Sequence, residues 1–186
     1  MLFRSWSYLT SSTPNDEGLH GQSGTLDCGA PTGSTRFEKH GPIRLSENRR
    51  HLVHADGTPF LWLGDTAWNG PLRATPGEWT HYLRERVRQK FTAVQWVATQ
   101  WLAAPDGDIN GDSAFDGIDA IHIYPAFFQR LDRYVEAACQ AGLLNVPVLL
   151  WAAEWRDAEY NPGAFLPEDQ AVVLGRYMVA RWSAYP

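Results

Sequence analysis

In the stretch FLWLGDTAW, residues 60–68, a short apolar run and a glycine lead to Asp65 and Thr66. An ionised carboxylate buried without a partner is costly, so its place at the end of an otherwise apolar segment marks Asp65 as a candidate site residue. Two further apolar segments, TAVQWVAT (92–99) and VPVLLWAA (146–153), end in the same manner. Thr99, Gln100 and Trp101 close the second, and Trp151, Glu154 and Trp155 close the third, as Asp65, Thr66 and Trp68 close the first. Carboxylates, an amide and indoles together suit a polar ring carrying many hydroxyls: indole faces stack on the apolar faces of a sugar, and the polar groups take its hydroxyls. Plainer readings stand beside these. Asp65 reads equally as a turn or N-cap aspartate, Glu154 as a surface glutamate paired with Arg156, and Gln100 as a cap for its own loop. Of the nine tryptophans, Trp62 and Trp79 read as core residues.

Other constellations fail on spacing. His54, His81 and His122 are scattered without a paired-ligand motif. DGDINGDSAFDG (106–117) opens like a calcium loop at Asp106, Asp108, Asn110 and Gly111, but Gly117 stands where a bidentate glutamate is needed, so the stretch reads as an acidic βα loop overhanging the pocket. Cys28 and Cys139 have no CxxC spacing, and no metal and no cofactor is expected. A formal charge of -5 leaves no basic stripe for nucleic acid. No apolar run reaches the roughly 18 residues of a membrane span. The first residues, MLFRSWSYLT, carry no signal-peptide pattern, and the localisation stays open.

The elements that must hold these residues follow from pattern. Residues 10–38, rich in Ser, Thr, Gly and Pro, read as loop or as remnants of short strands. IRLSENRRHLVHADGTPF reads as short extended pieces about Asn48 and a turn at Asp56-Gly57, a hairpin leading into a first buried strand over 60–64. From there near-continuous apolar strands alternate with helices, which indicates parallel βαβ units. The first helix has an N-cap, a proline and a capping-box glutamate in Thr75-Pro76-Gly77-Glu78, and Trp79, Leu83 and Val87 form its packing stripe. A second helix opens at Pro125, with Phe127, Leu131, Tyr134, Val135 and Ala138 on one side and a stop at Gly142; a third opens at Pro167. LGDTAWNG lacks a dinucleotide fingerprint. Three βα units are about half of the roughly 250 residues of an eight-stranded barrel. The fold expected is therefore α/β, an incomplete (β/α)8 TIM barrel of about three units, preceded by a short β or loop segment.

GPIRLSENRRHLVHADGTPFLWLGDTAW, followed by LRERVRQKFTAVQWV, resembles the start of the apiosidase-like glycoside hydrolases, with HADGTPFLWLGDTAW the most specific part. The resemblance covers residues 40–186. Upstream, WSYLTSSTPNDEGLHGQSG resembles the end of the small β-sandwich that often precedes such barrels. Residues 1–38 are thus expected to be a linker or sandwich tail, and residues 39–186 the N-terminal portion of a glycosidase domain. The resemblance implies hydrolysis of plant or microbial polysaccharide by two carboxylates, an acid/base after the fourth strand and a nucleophile near the seventh. Both are expected beyond Pro186, so no residue here receives a catalytic role and the remainder of the barrel is missing from the chain. Asp65, Trp68, Gln100, Trp101, Trp151, Glu154 and Trp155 are expected to bind the carbohydrate. Three alternatives stay open: a non-catalytic carbohydrate-binding fragment, an inert truncation, and an independent small enzyme using Asp65 with Glu154.

Overall fold

RSWSYL and SGTLDC pair as an antiparallel hairpin, β1 (Arg4–Leu9) with β2 (Ser23–Cys28), within the first of two compact units, residues 1–34 and 35–186. These elements belong to a computed structural model that describes residues 4–29, 33 and 35–185. Asp16 shapes the hairpin's connection, its Oδ1 accepting from the backbone N–H of Gly18 and Leu19. β2 is thus a six-residue strand within residues 10–38, where loop or remnants of strand were expected.

The second unit begins at Thr35, where a capping box starts a helix. Thr35 Oγ1 accepts from Glu38 N and Glu38 accepts from Thr35 N, which opens α1 (Arg36–His40). Phe37 of α1 is buried beside His54 and Phe60. Those two residues come from the expected hairpin, now seen as three short antiparallel strands: β3 (Ile43–Leu45), β4 (Leu52–His54) and β5 (Pro59–Phe60). The turn at Asp56-Gly57 forms as read, with Gly57 at φ +91° and Asp56 Oδ1 accepting from Thr58 N.

The first parallel strand is β6 (Gly64–Trp68), four residues later than the apolar run suggested. Phe60 is consumed by pairing with β4, and residues 61–63 cross to the next sheet. Thr92 anchors that crossing, its Oγ1 donating to Leu61 O at 2.6 Å and accepting from Leu63 N at 2.8 Å. Leu61 and Trp62 are exposed (73% and 50%), which corrects the reading of Trp62 as core.

After β6 come a single-turn α2 (Gly70–Arg73) and α3 (Pro76–Arg88), then β7 (Ala93–Val97). A long loop carries the two-residue ribbon β8 (Phe115–Asp116) and β9 (His122–Ile123), ahead of α4 (Pro125–Gln140) and β10 (Leu144–Val148). A 3-10 turn, α5 (Pro162–Phe165) and α6 (Glu168–Trp182) follow. β6, β7 and β10 form one parallel sheet in the order β10-β7-β6, with Gly64 and Leu144 both beside Ala93. The fold is thus mixed α/β with a parallel sheet, as the alternation predicted.

Strand alternation gives the sheet two faces. Val94 and Trp96 turn toward the helices, where Trp79 and Leu83 of α3, Phe127, Leu131 and Val135 of α4, and Leu174 and Met178 of α6 make the core. Each such large apolar side chain contributes about 1.5–3 kcal/mol on burial. Val87, the third residue of the expected α3 stripe, is exposed. Arg181 of α6 and Asp132 of α4 make a two-point ion pair (2.7 and 2.6 Å), and Trp182 Nε1 donates to the same carboxylate at 2.9 Å. On the opposite face Gly64, Thr66, Ala93, Gln95 and Val146, with Trp62, line a cavity of about 200 Å³, whose lining also includes Asp65.

Candidate functional site

Three indoles meet at the carboxyl ends of the parallel strands. Trp68 is the last residue of β6, Trp101 follows β7, and Trp151 follows β10. Their ring centroids are 5.7 Å (Trp68 to Trp101), 5.1 Å (Trp68 to Trp151) and 4.8 Å (Trp101 to Trp151) apart, in tilted and edge-on arrangements favourable to aromatic quadrupoles. Trp101 is the buried member, Trp151 is half-buried, and Trp68 is 42% exposed. The backbone at Trp68 is left-handed, φ +34°, and β6 shifts register against β7 between Thr66 and Trp68. A bulky residue held in that region costs about 1–2 kcal/mol, which the surrounding packing must offset, and such strain concentrates at functional positions.

The loops behind the indoles are stitched by amide side chains. Asn69 Oδ1 accepts from Trp101 Nε1, and Asn69 Nδ2 donates to Ala103 O at 3.1 Å. Asn161, fully buried, accepts from Leu102 N at 3.2 Å and donates to Ala153 O and Arg156 O at 2.9 and 3.1 Å. Gly163 packs so closely on the Trp151-Ala152 backbone that a Cβ would stand 2.8 Å from Ala152 Cβ. Trp151 Nε1 and Thr99 Oγ1 are buried and have no hydrogen-bond partner.

The other expected site residues divide. Gln100 spends both ends of its amide on the long loop, donating to Phe115 O at 2.9 Å and accepting from Ala114 N at 3.0 Å, the bracing role of its plainer reading. Glu154 is exposed, and Arg156 pairs with Asp157 instead of with it. Trp155 is 85% exposed.

Asp65 lies elsewhere. It was expected at the carboxyl end of a strand, but it is the second residue of β6, opposite Val94, at the amino end of the sheet. Its side chain turns to the helix layer, where Tyr82 Oη donates to Oδ2 at 2.6 Å and Arg86 Nε pairs with the same oxygen. Partial burial pushes the carboxyl up, but the hydrogen bonds from Tyr82, Arg86 and the Thr66 backbone outweigh it and hold the group below the ordinary aspartate value. Burial, and then the Asp65 carboxylate, push the Tyr82 phenol well up. Arg86 also lies over the Tyr82 ring at 4.7 Å. The buried-carboxylate question posed by FLWLGDTAW is therefore answered by a strand-to-helix ion pair, and the indole cluster stands at the other end of the sheet.

In the acidic loop, Asp108 points inward. Its Oδ1 accepts from Asn110 N and Asp112 N, and its Oδ2 lies 3.4 Å from Arg130 Nε. A groove of about 480 Å³ runs past this loop and α4, lined by Thr75, Asn110, Arg130 and Arg133 among others, and contains none of the strand-end tryptophans. Among the described residues, no three or more His, Cys, Asp or Glu gather as a metal site, and no helix is long and apolar enough to cross a membrane.

Asn69 and Asn161 were not foreseen. Each follows a strand end in sequence and its role depends on a carbonyl or amide from another loop, which no local pattern encodes. Tyr82 and Arg86 did carry a signal, an i,i+4 pair on one face of α3.

The sequence profile described as apiosidase-like, catalytic domain, matches residues 46–186. The chain belongs to that family. The apiosidase-like chain is also similar in fold to a solved glycoside hydrolase, at 24% identity and TM-score 0.66 over 83% of this chain and 34% of that one. A second similar structure is a glycoside hydrolase family 5 protein from Bacteroides vulgatus ATCC 8482, at 22% identity and TM-score 0.68 over 83% of this chain and 32% of that one. The chain thus spans about a third of the length of these solved structures. No curated protein matches it.

Proposed function

We propose that this apiosidase-like chain supplies the first three βα units of a glycoside hydrolase barrel acting on plant or microbial polysaccharide. In this reading the carboxyl ends of β6, β7 and β10 form one wall of its sugar-binding cleft. The observation that carries the reading is the convergence of Trp68, Trp101 and Trp151 from three successive strand ends to within 4.8–5.7 Å, at the end of a parallel sheet where βα enzymes build their sites. Trp68 presents a ring face for stacking on a sugar, Trp101 and Trp151 fix that ring, and exposed Trp155 and Glu154 extend the wall with a second indole and an acceptor for hydroxyls. Gln100 shapes the overhanging loop. Asp65 is left out of the cleft, since its carboxylate is committed to Tyr82 and Arg86.

The catalytic acid/base and nucleophile lie outside these 186 residues in this proposal, in further βα units of a longer barrel. The open cavity beside Gly64, Thr66, Gln95 and Val146 is then barrel interior awaiting the remaining strands. The β1–β2 hairpin is the tail of a preceding β-sandwich. The exposure of Trp68 and Trp155 favours one second reading, in which these residues bind glycan without cleaving it.

One experiment separates the two. The full-length protein carrying this sequence is incubated with a panel of aryl glycosides, a β-apioside among them, and with pectic and xylan polysaccharides. Hydrolysis of any member, reduced at least tenfold by Trp68→Ala, supports the glycosidase reading. Binding without hydrolysis supports the second. Neither binding nor hydrolysis overturns both.

A further inference from the structure

The segment Trp101-Leu102-Ala103, which carries the buried indole of the cluster, is held from both sides by asparagines of the neighbouring βα loops. Asn69, directly after β6, takes the Trp101 indole N–H and the Ala103 carbonyl. Asn161, beyond β10, takes the Leu102 N–H and two carbonyls of its own loop, Ala153 and Arg156. Three consecutive residues are thereby tied to the loop on either side, and three loops become one frame. We infer that Asn69 and Asn161 are positioning residues for the sugar site: they act through Trp101 and fix the three indoles in their binding arrangement before any ligand arrives.

The inference rests on the reading of the strand ends as a sugar site. The chemistry demands the amide. Each side chain must accept from an N–H and donate to at least one carbonyl, and an aspartate can only accept. At Asn161 a carboxylate would face the Ala153 and Arg156 carbonyls in a fully buried position. At Asn69 it would keep the Trp101 bond and lose the tie to Ala103. Indoles whose rings are already set lose little freedom on stacking, so the frame raises affinity by preorganisation. The strain at Trp68, adjacent to Asn69, persists for the same reason: the frame over-determines that backbone.

The test compares the unsubstituted protein with Asn69→Ala, Asn69→Asp and Asn161→Asp by two readouts. The first is the circular-dichroism couplet of closely coupled indoles. The second is binding of soluble pectic and xylan oligosaccharides followed by tryptophan fluorescence. The expected result is a diminished couplet and about tenfold weaker binding in Asn69→Ala. Asn69→Asp should be intermediate, with a melting point close to that of the unsubstituted protein. Asn161→Asp, buried and more exposed to misfolding, adds weight where it folds; the Asn69 pair decides the matter. A couplet and an affinity that both persist in Asn69→Ala overturn the inference, as does a lost couplet with unchanged affinity. Failure of the unsubstituted protein to bind any saccharide overturns the reading of the site itself, and that outcome is visible before any substitution is made.

Discussion

At the scale of single residues, the Asp65 carboxylate is committed to Tyr82 Oη and Arg86 Nε. The contribution of this pairing to stability has a definite pH window. The folded pKa of Asp65 is depressed, so the stabilisation is fully present above the unfolded value of about 3.9 and is lost as pH falls through the lower folded value. Comparison of the parent with Asp65→Asn by urea denaturation should give a gap of about 1–2 kcal/mol at pH 7 that narrows below about pH 4. This gap sits at the low end for a charged hydrogen bond because the pair's side chains are 28% and 29% exposed. Saccharide binding should not change. Trp155→Ala is the converse case: with the side chain 85% exposed, stability should move by no more than about 0.5 kcal/mol while saccharide affinity falls.

At the scale of elements, the three long helices α3, α4 and α6 were legible, whereas the short helices and the strand limits were not. Thr75-Pro76-Gly77-Glu78 states its own cap in local chemistry, and the capping box forms with Thr75 N to Glu78 Oε2 at 2.8 Å. Thr75→Ala should lower stability by about 1 kcal/mol, and the melting temperature by about 2–4 °C, in a thermal scan. The run FLWLG misleads because apolar character marks burial or a missing neighbour alike. Pairing with β4 claims Phe60, and Thr92, 29 residues away from Leu63, decides where the next strand starts. β10 begins at Leu144, two residues before the apolar run, since its register with Ala93 is set by β7. The indole cluster was legible as a set of residue types, but the asparagines that hold it act between loops and left no periodic trace. Asp132, which receives both Arg181 and Trp182, ties α6 to α4. Asp132→Ala should therefore raise amide exchange in α6 above that in α3.

At the scale of the whole molecule, the parallel sheet is well covered on its helix side and open on the other. Among the described residues β6 and β10 each pair with β7 alone, so two edges remain unpaired. Leu61, Trp62 and Leu63 stand exposed, and Trp62 lines the cavity of the open face. Studied as these 186 residues, the chain should bind an apolar dye and self-associate in sedimentation, and Leu61→Lys with Trp62→Lys should reduce both. Family membership and the fold of solved glycoside hydrolases agree with a sheet of this kind.

In the proposed function the carboxyl ends of β6, β7 and β10 bind sugar through their indoles. Indole N–H signals in an NMR titration with pectic and xylan oligosaccharides report on each tryptophan separately. The signals of Trp68, Trp101, Trp151 and Trp155 should shift while those of Trp79 and Trp182, in the helix layer, stay fixed. Shifts confined to Trp62 at the other end of the sheet, or no shift at saturating saccharide, would contradict that function.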